Sequence, residues 1–421
     1  MTDQLPLERL ALWVEKRPDA VWLSQPVNGQ WHDFTWAQVD EQARRMATAL
    51  HALGCAPGDR VALLAKNCAE WIIADLAIML AGLISVPLYP LQSAESIDYV
   101  LRHSQCKAIF LGKLDEPAKL APGIPAEVMR IAMPYPTIEA NHGWHALLAA
   151  HQPLRDGHTQ SPDELLSILY TSGTTGQPKG VMLSAKAFAI AGGRSVKELQ
   201  ITEQDQYFSY LPLSHAAERF LVEMNALYSG GRVAFVESLE TFASDLRHVR
   251  PTVFFSVPRL WTRFQQGVLE KLPQPKLARL LGIPLIGGLV ARKIRKGLGL
   301  DRARILVSGA AAIPRALLDW YQSIGITICE GYGMTEHLAY GCFNRPGQVR
   351  FGTVGRPMPG NELRIAENGE ILLRCPSLML GYYQDPEKTA ETITADGWLR
   401  TGDKGEQDAE GNLRLTGRIK E

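Results

Sequence analysis

Between residues 170 and 180 the chain reads YTSGTTGQPKG, a run made almost wholly of hydroxyls, glycines and one cation. Such residue types suit a loop that holds phosphate. Gly173 and Gly176 let backbone N–H groups converge on an anion without obstruction from a Cβ, while Ser172, Thr174 and Thr175 supply hydroxyl donors and Lys179 supplies charge. Pro178 stiffens the turn beside Lys179. The spacing is not that of the common nucleotide loop GxxxxGK[ST]: counted from Gly173, the second glycine would fall on Pro178, and Lys179 is followed by Gly180. An ordinary kinase or GTPase loop is therefore excluded. By composition alone a polar surface turn is the commoner origin of such a run, so the weight falls on what accompanies it.

The elements around the loop must place it. Apolar residues 165–170 form a strand that feeds it. Strand-like runs at 61–65 (VALLA), 84–89 (ISVPLY) and 108–112 (AIFLG) alternate with helical stretches, and the rhythm resumes at 232–238, 252–257, 304–309 and 326–333. This is the pattern of stacked βαβ units with mostly parallel sheets, an α/β fold in which ligands sit at the carboxyl ends of strands. The phosphate loop, the segment at Ser308 and the segment at Tyr332 all follow such strands. After about Gly347 the helical rhythm stops. Two hairpins follow, at 362–375 with Asn368-Gly369 at the turn and at 405–418 with Glu410-Gly411-Asn412, which make a small antiparallel β unit. The expected division is 1–165, 166–346 and 347–417, with residues 418–421 as a hinge stump.

Bulk properties narrow the class. Lys plus Arg and Asp plus Glu are both 44 in 421 residues, so nothing attracts nucleic acid in general. Six cysteines are scattered with no CxxC pair, which points away from zinc and disulfides and towards a reducing, cytoplasmic compartment. The N-terminus lacks a secretory pattern. The most apolar window, 71–88, contains Asp75, Gly82 and Pro87 and reads as a buried helix followed by a strand, not a membrane span.

Six segments in order resemble the adenylate-forming acyl-CoA synthetases: YTSGTTGQPKG, LPLSHAAER at 211–219, SGAAAIP at 308–314, EGYGMTE at 330–336, GWLRTGD at 397–403 and GRIKE at 417–421. The resemblance runs essentially from end to end. LPLSHAAER together with FFSVPRLW at 254–261 is most similar to long-chain fatty acid–CoA ligases. The family's reaction joins a carboxylate to ATP with loss of pyrophosphate, giving an acyl-adenylate that a CoA thiol then attacks. Because the reactants are anionic, catalysis is mainly positioning and neutralisation of charge.

By this resemblance Thr171 to Thr175 and Lys179 hold the β- and γ-phosphates. Glu336, with Thr175, binds the Mg²⁺ that bridges them, and Thr335 touches the α-phosphate. The run Glu330, Gly331, Tyr332, Gly333, Met334 lies against the nucleotide. Tyr332 is expected to stack on adenine while its flanking glycines let backbone approach; two such glycines would weaken an ordinary core strand. Gly309, Ala310 and Ala311 are expected to form a small-residue wall beside the base, with close strand–helix packing nearly as good an account of them. Asp403 accepts the ribose hydroxyls, with Arg418 near ribose and phosphate; outside the family a turn aspartate would be the natural reading. His215 borders the acyl carboxylate. Some long-chain relatives carry an aromatic gate four residues further on, where this chain has Arg219, so that gate does not transfer. Glu218 and Arg219 are expected to pair with charges across the helix surface.

The acyl pocket is drawn from Phe254, Phe255, Val257 and the apolar face of 220–227, each equally an ordinary core residue. The stretch 277–304 combines Leu, Ile and Gly with Arg279, Arg292, Lys293, Arg295, Lys296, Arg302 and Arg304. It reads first as a connecting helix pair with a solvated basic face, second as a weak peripheral contact with the inner face of a membrane. The last residues follow a strand directly, as though cut at a linker. The resemblance makes Lys420 a hinge to a mobile domain not contained in these residues, and implies poor turnover without it. The alternatives are an aryl or other carboxylic acid as substrate, or a nucleotide-binding module without turnover.

Overall fold

Strands buried on both faces need continuous apolar sequence, and such runs form the two large sheets. The computed structural model describes residues 3–171 and 177–419. One sheet has eight strands: Arg60–Leu64, Ile84–Leu88 and Cys106–Leu111 pair in parallel at its centre, and Leu165–Thr171 joins beside Ile84–Leu88. The other has nine, with Arg232–Phe235, Gln206–Ser209, Val253–Ser256, Ile305–Ser308 and Ile328–Tyr332 parallel at its centre. Antiparallel strands finish both edges of the nine-stranded sheet and one edge of the eight-stranded one, whose other edge is parallel.

Sheet membership does not follow the expected cut at 165/166. The hairpin Val21–Val27 with Gln30–Thr35 belongs to the nine-stranded sheet, where Val21–Val27 pairs with Arg232–Phe235. Strands Leu165–Thr171, Lys179–Ser184 and the short Gly381–Tyr382 all belong to the eight-stranded one. Alternating patterns reveal a strand but not its neighbour, because pairing partners lie far apart in sequence.

The third sheet has four antiparallel strands and contains both hairpins. Glu362–Ile365 pairs with Glu370–Arg374 across the Asn368-Gly369 turn, where Gly369 takes φ 82°. Leu399–Gln407 pairs with Leu413–Arg418 and sets Asp403 opposite Arg418.

The apolar window is the helix Ala69–Leu80, all of whose residues are buried, followed by the strand Ile84–Leu88. No helix among the described residues is long and apolar enough to cross a membrane. Asp75 sits inside that helix at 0% exposure, and its charge is met by Arg219 at 2.6 Å. Arg219 also lies 3.2 Å from Glu223, and between the rings of Trp71 and Phe188 at 5.3 and 5.0 Å from their centroids. This corrects the expectation of a surface pair: Glu218, Arg219 and Glu223 are all wholly buried. Burial pushes the Glu223 carboxyl well above the usual range, and Asp75 makes the shorter contact with Arg219. Glu218, pushed up to about 8 by burial, accepts from Ser209 Oγ at 2.8 Å and Tyr210 N at 3.2 Å. The residues Arg219–Met224 form a π-helical turn, a local geometry frequent at functional sites.

Arg219→Ala strands a buried carboxylate and should cost about 3–5 kcal/mol in urea denaturation. Replacing Arg219, Asp75 and Glu223 together by Met, Leu and Leu should recover most of that loss, and a triple variant no more stable than Arg219→Ala would contradict the ion-pair account.

Candidate functional site

Carboxyl edges of neighbouring parallel strands diverge into loops, and the space between those loops is where this fold leaves room. Past Val253–Ser256, Ile305–Ser308 and Ile328–Tyr332 lies a cavity of about 320 Å³. Thr171, His215, Gly309, Ala310, Gly331, Tyr332, Gly333, Met334, Thr335 and Glu336 all line it. Lys179, Ala311, Glu330, Asp403 and Arg418 do not. Ser172, Gly173, Thr174, Thr175 and the hinge residue Lys420 lie outside the described residues.

Lys179 opens onto a second, smaller cavity with Tyr382 and Tyr383. Its Nζ stands 5.6 Å from the centroid of the Tyr382 ring, and Tyr382 Oη donates to Glu336 Oε1 at 2.7 Å. A cation, an aromatic ring and a carboxylate thus form one chain that ends in the main cavity. Tyr382 is absent from the motif-based reading. It sits in GYYQDP at 381–386, and only the pairing of Gly381–Tyr382 with Lys179–Ser184 brings it to the site. Glu336 Oε2 has no hydrogen-bond partner among the described residues, which suits a carboxylate that takes a hard cation together with phosphate oxygens. Groups of three or more His, Cys, Asp or Glu able to hold a metal alone are absent among the described residues.

Asp403 and Arg418 approach Tyr332 from the four-stranded sheet. Tyr332 Oη donates to Asp403 Oδ2 at 2.6 Å, and Arg418 Nε lies 3.3 Å from Asp403 Oδ1. Both carboxylate oxygens are therefore already engaged, which modifies the expectation of two oxygens waiting for ribose. A carboxylate has about four lone-pair positions, so acceptor capacity remains on each oxygen. Burial and the Asp403 charge hold the Tyr332 phenol well above its ordinary value, and it stays a donor.

Gly333 has an internal reason for being glycine. A Cβ there would lie 2.4 Å from the carbonyl oxygen of Ala339, so the chain's own backbone occupies the space. Ala310 takes φ 66°, a left-handed conformation uncommon for a residue with a Cβ, and presents a small exposed wall to the cavity. Ala311 is exposed outside it, because the chain turns away at Ala310.

His215 Nδ1 accepts from Ala217 N at 3.2 Å, capping the short helix Ala216–Glu218. Burial lowers its pKa, so the neutral ring leaves Nε2–H as the donor. The next face of the same segment supplies apolar lining through Ala217, Phe220 and Leu221, continued by Leu199 and Met358. Of the expected acyl residues, Phe255 lines the cavity and Phe254 does not. Successive side chains of a strand face opposite ways, and Phe254 packs instead on Tyr210, Trp261 and Phe264.

The AMP-binding enzyme family model matches residues 10–383. The chain is 32% identical, over 96% of its length, to long-chain-fatty-acid–CoA ligase FadD15 of Mycobacterium bovis, and covers 72% of that protein. It is 30% identical over 92% of its length to human long-chain-fatty-acid–CoA ligase 1, of which it covers 63%. The crystal structure of the anthranilate CoA ligase AuaEII with anthranoyl-AMP superposes with a TM-score of 0.82 at 24% identity, over 99% of this chain and 78% of that one. The N-terminal domain of FACL13 from Mycobacterium tuberculosis, with an inhibitor bound, superposes at 0.77 and 24% identity, over 99% of this chain and 100% of that one. At these identities the structures speak to the fold.

Glu330, on the same strand as Tyr332, is pushed up to about 7 by burial, and its Oε2 has no hydrogen-bond partner among the described residues. In the unfolded chain the proton leaves near 4.5, in the folded chain near 7, so folding loses stability as pH rises across that window. The melting-temperature advantage of Glu330→Gln over the wild type should therefore grow from about pH 5 to about pH 8. An advantage that does not change with pH would show that Glu330 titrates normally.

Proposed function

The chain belongs to the AMP-binding enzyme family, and from that membership we propose that it activates a long-chain fatty acid with ATP, releasing pyrophosphate and forming an acyl-adenylate for transfer to CoA. One observation carries the reading: a single cavity unites Thr335 and Glu336, the capping His215, and the apolar Phe220, Leu221, Leu199 and Met358. Groups suited to phosphate and groups suited to an alkyl chain line the same space.

Each residue then has a task set by its surroundings. The Tyr382 hydroxyl fixes the rotamer of Glu336, so that the carboxylate is oriented before a ligand arrives. Lys179, in hydroxyl-rich company, neutralises phosphate charge, with Ser172, Gly173, Thr174 and Thr175 assigned to the same task. Glu336 would hold a Mg²⁺ ion, which when bound would add to the neutralisation of the triphosphate. Thr335 donates towards the α-phosphate, where charge builds as the fatty carboxylate attacks. Tyr332, anchored through Asp403, offers a ring face to adenine, with Gly309 and Ala310 on the cavity wall beside it. Asp403 and Arg418 take the ribose. His215 Nε2–H donates to the acyl carboxylate, holding it in line with the α-phosphate. The relatives' names support a long-chain acid, whereas the aryl acid of AuaEII marks the competing substrate class.

Acid-dependent pyrophosphate release, measured from acetate to long-chain and aryl acids, should peak with a long chain; a maximum with aryl acids would replace the fatty-acid assignment. Glu336→Gln should reduce that release by about 10²-fold, the scale of losing one preorganised electrostatic group. Tyr382→Phe should lower kcat by about ten-fold, roughly 1.4 kcal/mol, and leave the KM for the acid nearly unchanged. A Tyr382→Phe enzyme indistinguishable from wild type would remove Tyr382 from the positioning role.

A further inference from the structure

On the opposite face of the nine-stranded sheet lies a groove of about 1150 Å³, larger than the cavity that holds Glu336. Its walls are the helices Phe242–Val249, Pro258–Lys271 and Ile286–Leu298. Phe242, Leu260, Phe264, Val268, Ile294 and Leu298 line it, all of them only partly buried, so that apolar surface is left facing open space. The two spaces are separate. Phe254 packs towards the groove side and its neighbour Phe255 lines the other cavity, while Tyr210 forms part of the groove wall and donates to Phe255 O at 3.2 Å.

Charge around the groove is one-sided. Arg247, Arg263, Lys271 and Lys293 line it against a single acid, Glu240. None of the four cations has an ion-pair partner among the described residues, although arginines elsewhere, such as Arg250, Arg304 and Arg345, are paired. Two glycines add a second kind of evidence. Gly267 stands inside the helix Pro258–Lys271, where glycine is disfavoured, and Gly297 in the last turn of Ile286–Leu298, and a Cβ at either would meet nothing within 4 Å. Both line the groove. Packing therefore does not require them, and their effect is to keep the groove open. Among the described residues, five of the eight exposed large hydrophobics belong to this region: Leu239 on the groove, and Ile283, Leu285, Ile286 and Leu289 at the start of the helix Ile286–Leu298.

We infer that this groove is a second binding site, for a single-chain amphiphile with an anionic head, whose alkyl chain lies between the helices and whose head meets the unpaired cations. An apolar trough takes the chain by burial of surface, and a cationic rim selects carboxylate or phosphate over a neutral head. The site stands on the groove's own geometry and does not depend on the reading of the Glu336 cavity.

Palmitate titrated into the full chain, with and without AMP, tests it by calorimetry. Gly267→Trp with Gly297→Trp fills the groove and should abolish one class of palmitate site while leaving AMP binding intact. Arg263→Glu with Lys293→Glu should weaken palmitate by about ten-fold or more while hexadecanol, which lacks the charge, shifts by less than about two-fold. This surface pair keeps the question decidable should the tryptophan variant fail to fold. Palmitate binding unchanged by either pair, or absent from the wild type, would overturn the site. Retention on phosphatidylglycerol vesicles without uptake of monomeric palmitate would make the face a membrane contact and would equally overturn it. Pyrophosphate release reads the other cavity, so the two readings fail separately.

Discussion

The two large sheets meet where Glu336 accepts from Tyr382, and that hydrogen bond of 2.7 Å is the junction on which the cleft depends. Glu336 follows a strand of the nine-stranded sheet, and Tyr382 belongs to a strand added to the eight-stranded one beside Lys179. A backbone bond from Met379 N to Glu336 O, also 2.7 Å, holds the same contact. The third sheet is tied in by Tyr332 and Asp403. Hydrogen bonds to a carboxylate in partly buried surroundings contribute about 1.5–3 kcal/mol each, enough to set side-chain positions without locking whole sheets together. Rigid sheets therefore bring the residues near, and a few charge-assisted bonds decide where their oxygens point.

Beneath the cavity a different economy applies. Arg219 and Asp75 are fully buried, and desolvating such a pair consumes most of what their attraction returns. Their value is geometric. The pair joins the helix Ala69–Leu80 to the π-helical turn whose other face, at Phe220 and Leu221, lines the cavity. A well-packed apolar substitute could match its stability. What the ions add is a requirement for one register, since a shifted turn would leave charge without a partner.

The nine-stranded sheet serves two spaces at once. Period-two alternation sends Phe255 to the cavity and Phe254 to the other face, where it packs behind the groove-lining Tyr210 and Phe264. The groove is rimmed by cations without ion-pair partners among the described residues, whereas Tyr332 and Glu336 on the cavity wall are hydrogen-bonded to Asp403 and Tyr382 beside it. Helices laid over a twisted sheet pack closely only where large side chains fill the gap, and the glycines at 267 and 297 leave it unfilled.

Much of this was legible in the sequence. Local patterns marked most of the central parallel strands and both late hairpins, because a buried parallel strand must be continuously apolar and a hairpin needs its turn residues, as at Asn368-Gly369; they did not mark Val21–Val27, Lys179–Ser184 or Gln206–Ser209. The motifs likewise named Thr335, Glu336, Tyr332 and His215, which the fold gathers into one lining. Contacts between distant residues were not legible. Arg219 looked like a surface charge, since nothing near it in the chain shows that Asp75, 144 positions away, will face it inside the protein. Tyr382 lay in a segment without a recognised role until strand pairing set it between Lys179 and Glu336. Spacing along the chain thus determined the residue types, the strands and the chemistry they suit. Which side chains share a charge, a hydrogen bond or an unfilled space was decided by tertiary structure, because those depend on distances through space that one-dimensional spacing does not contain.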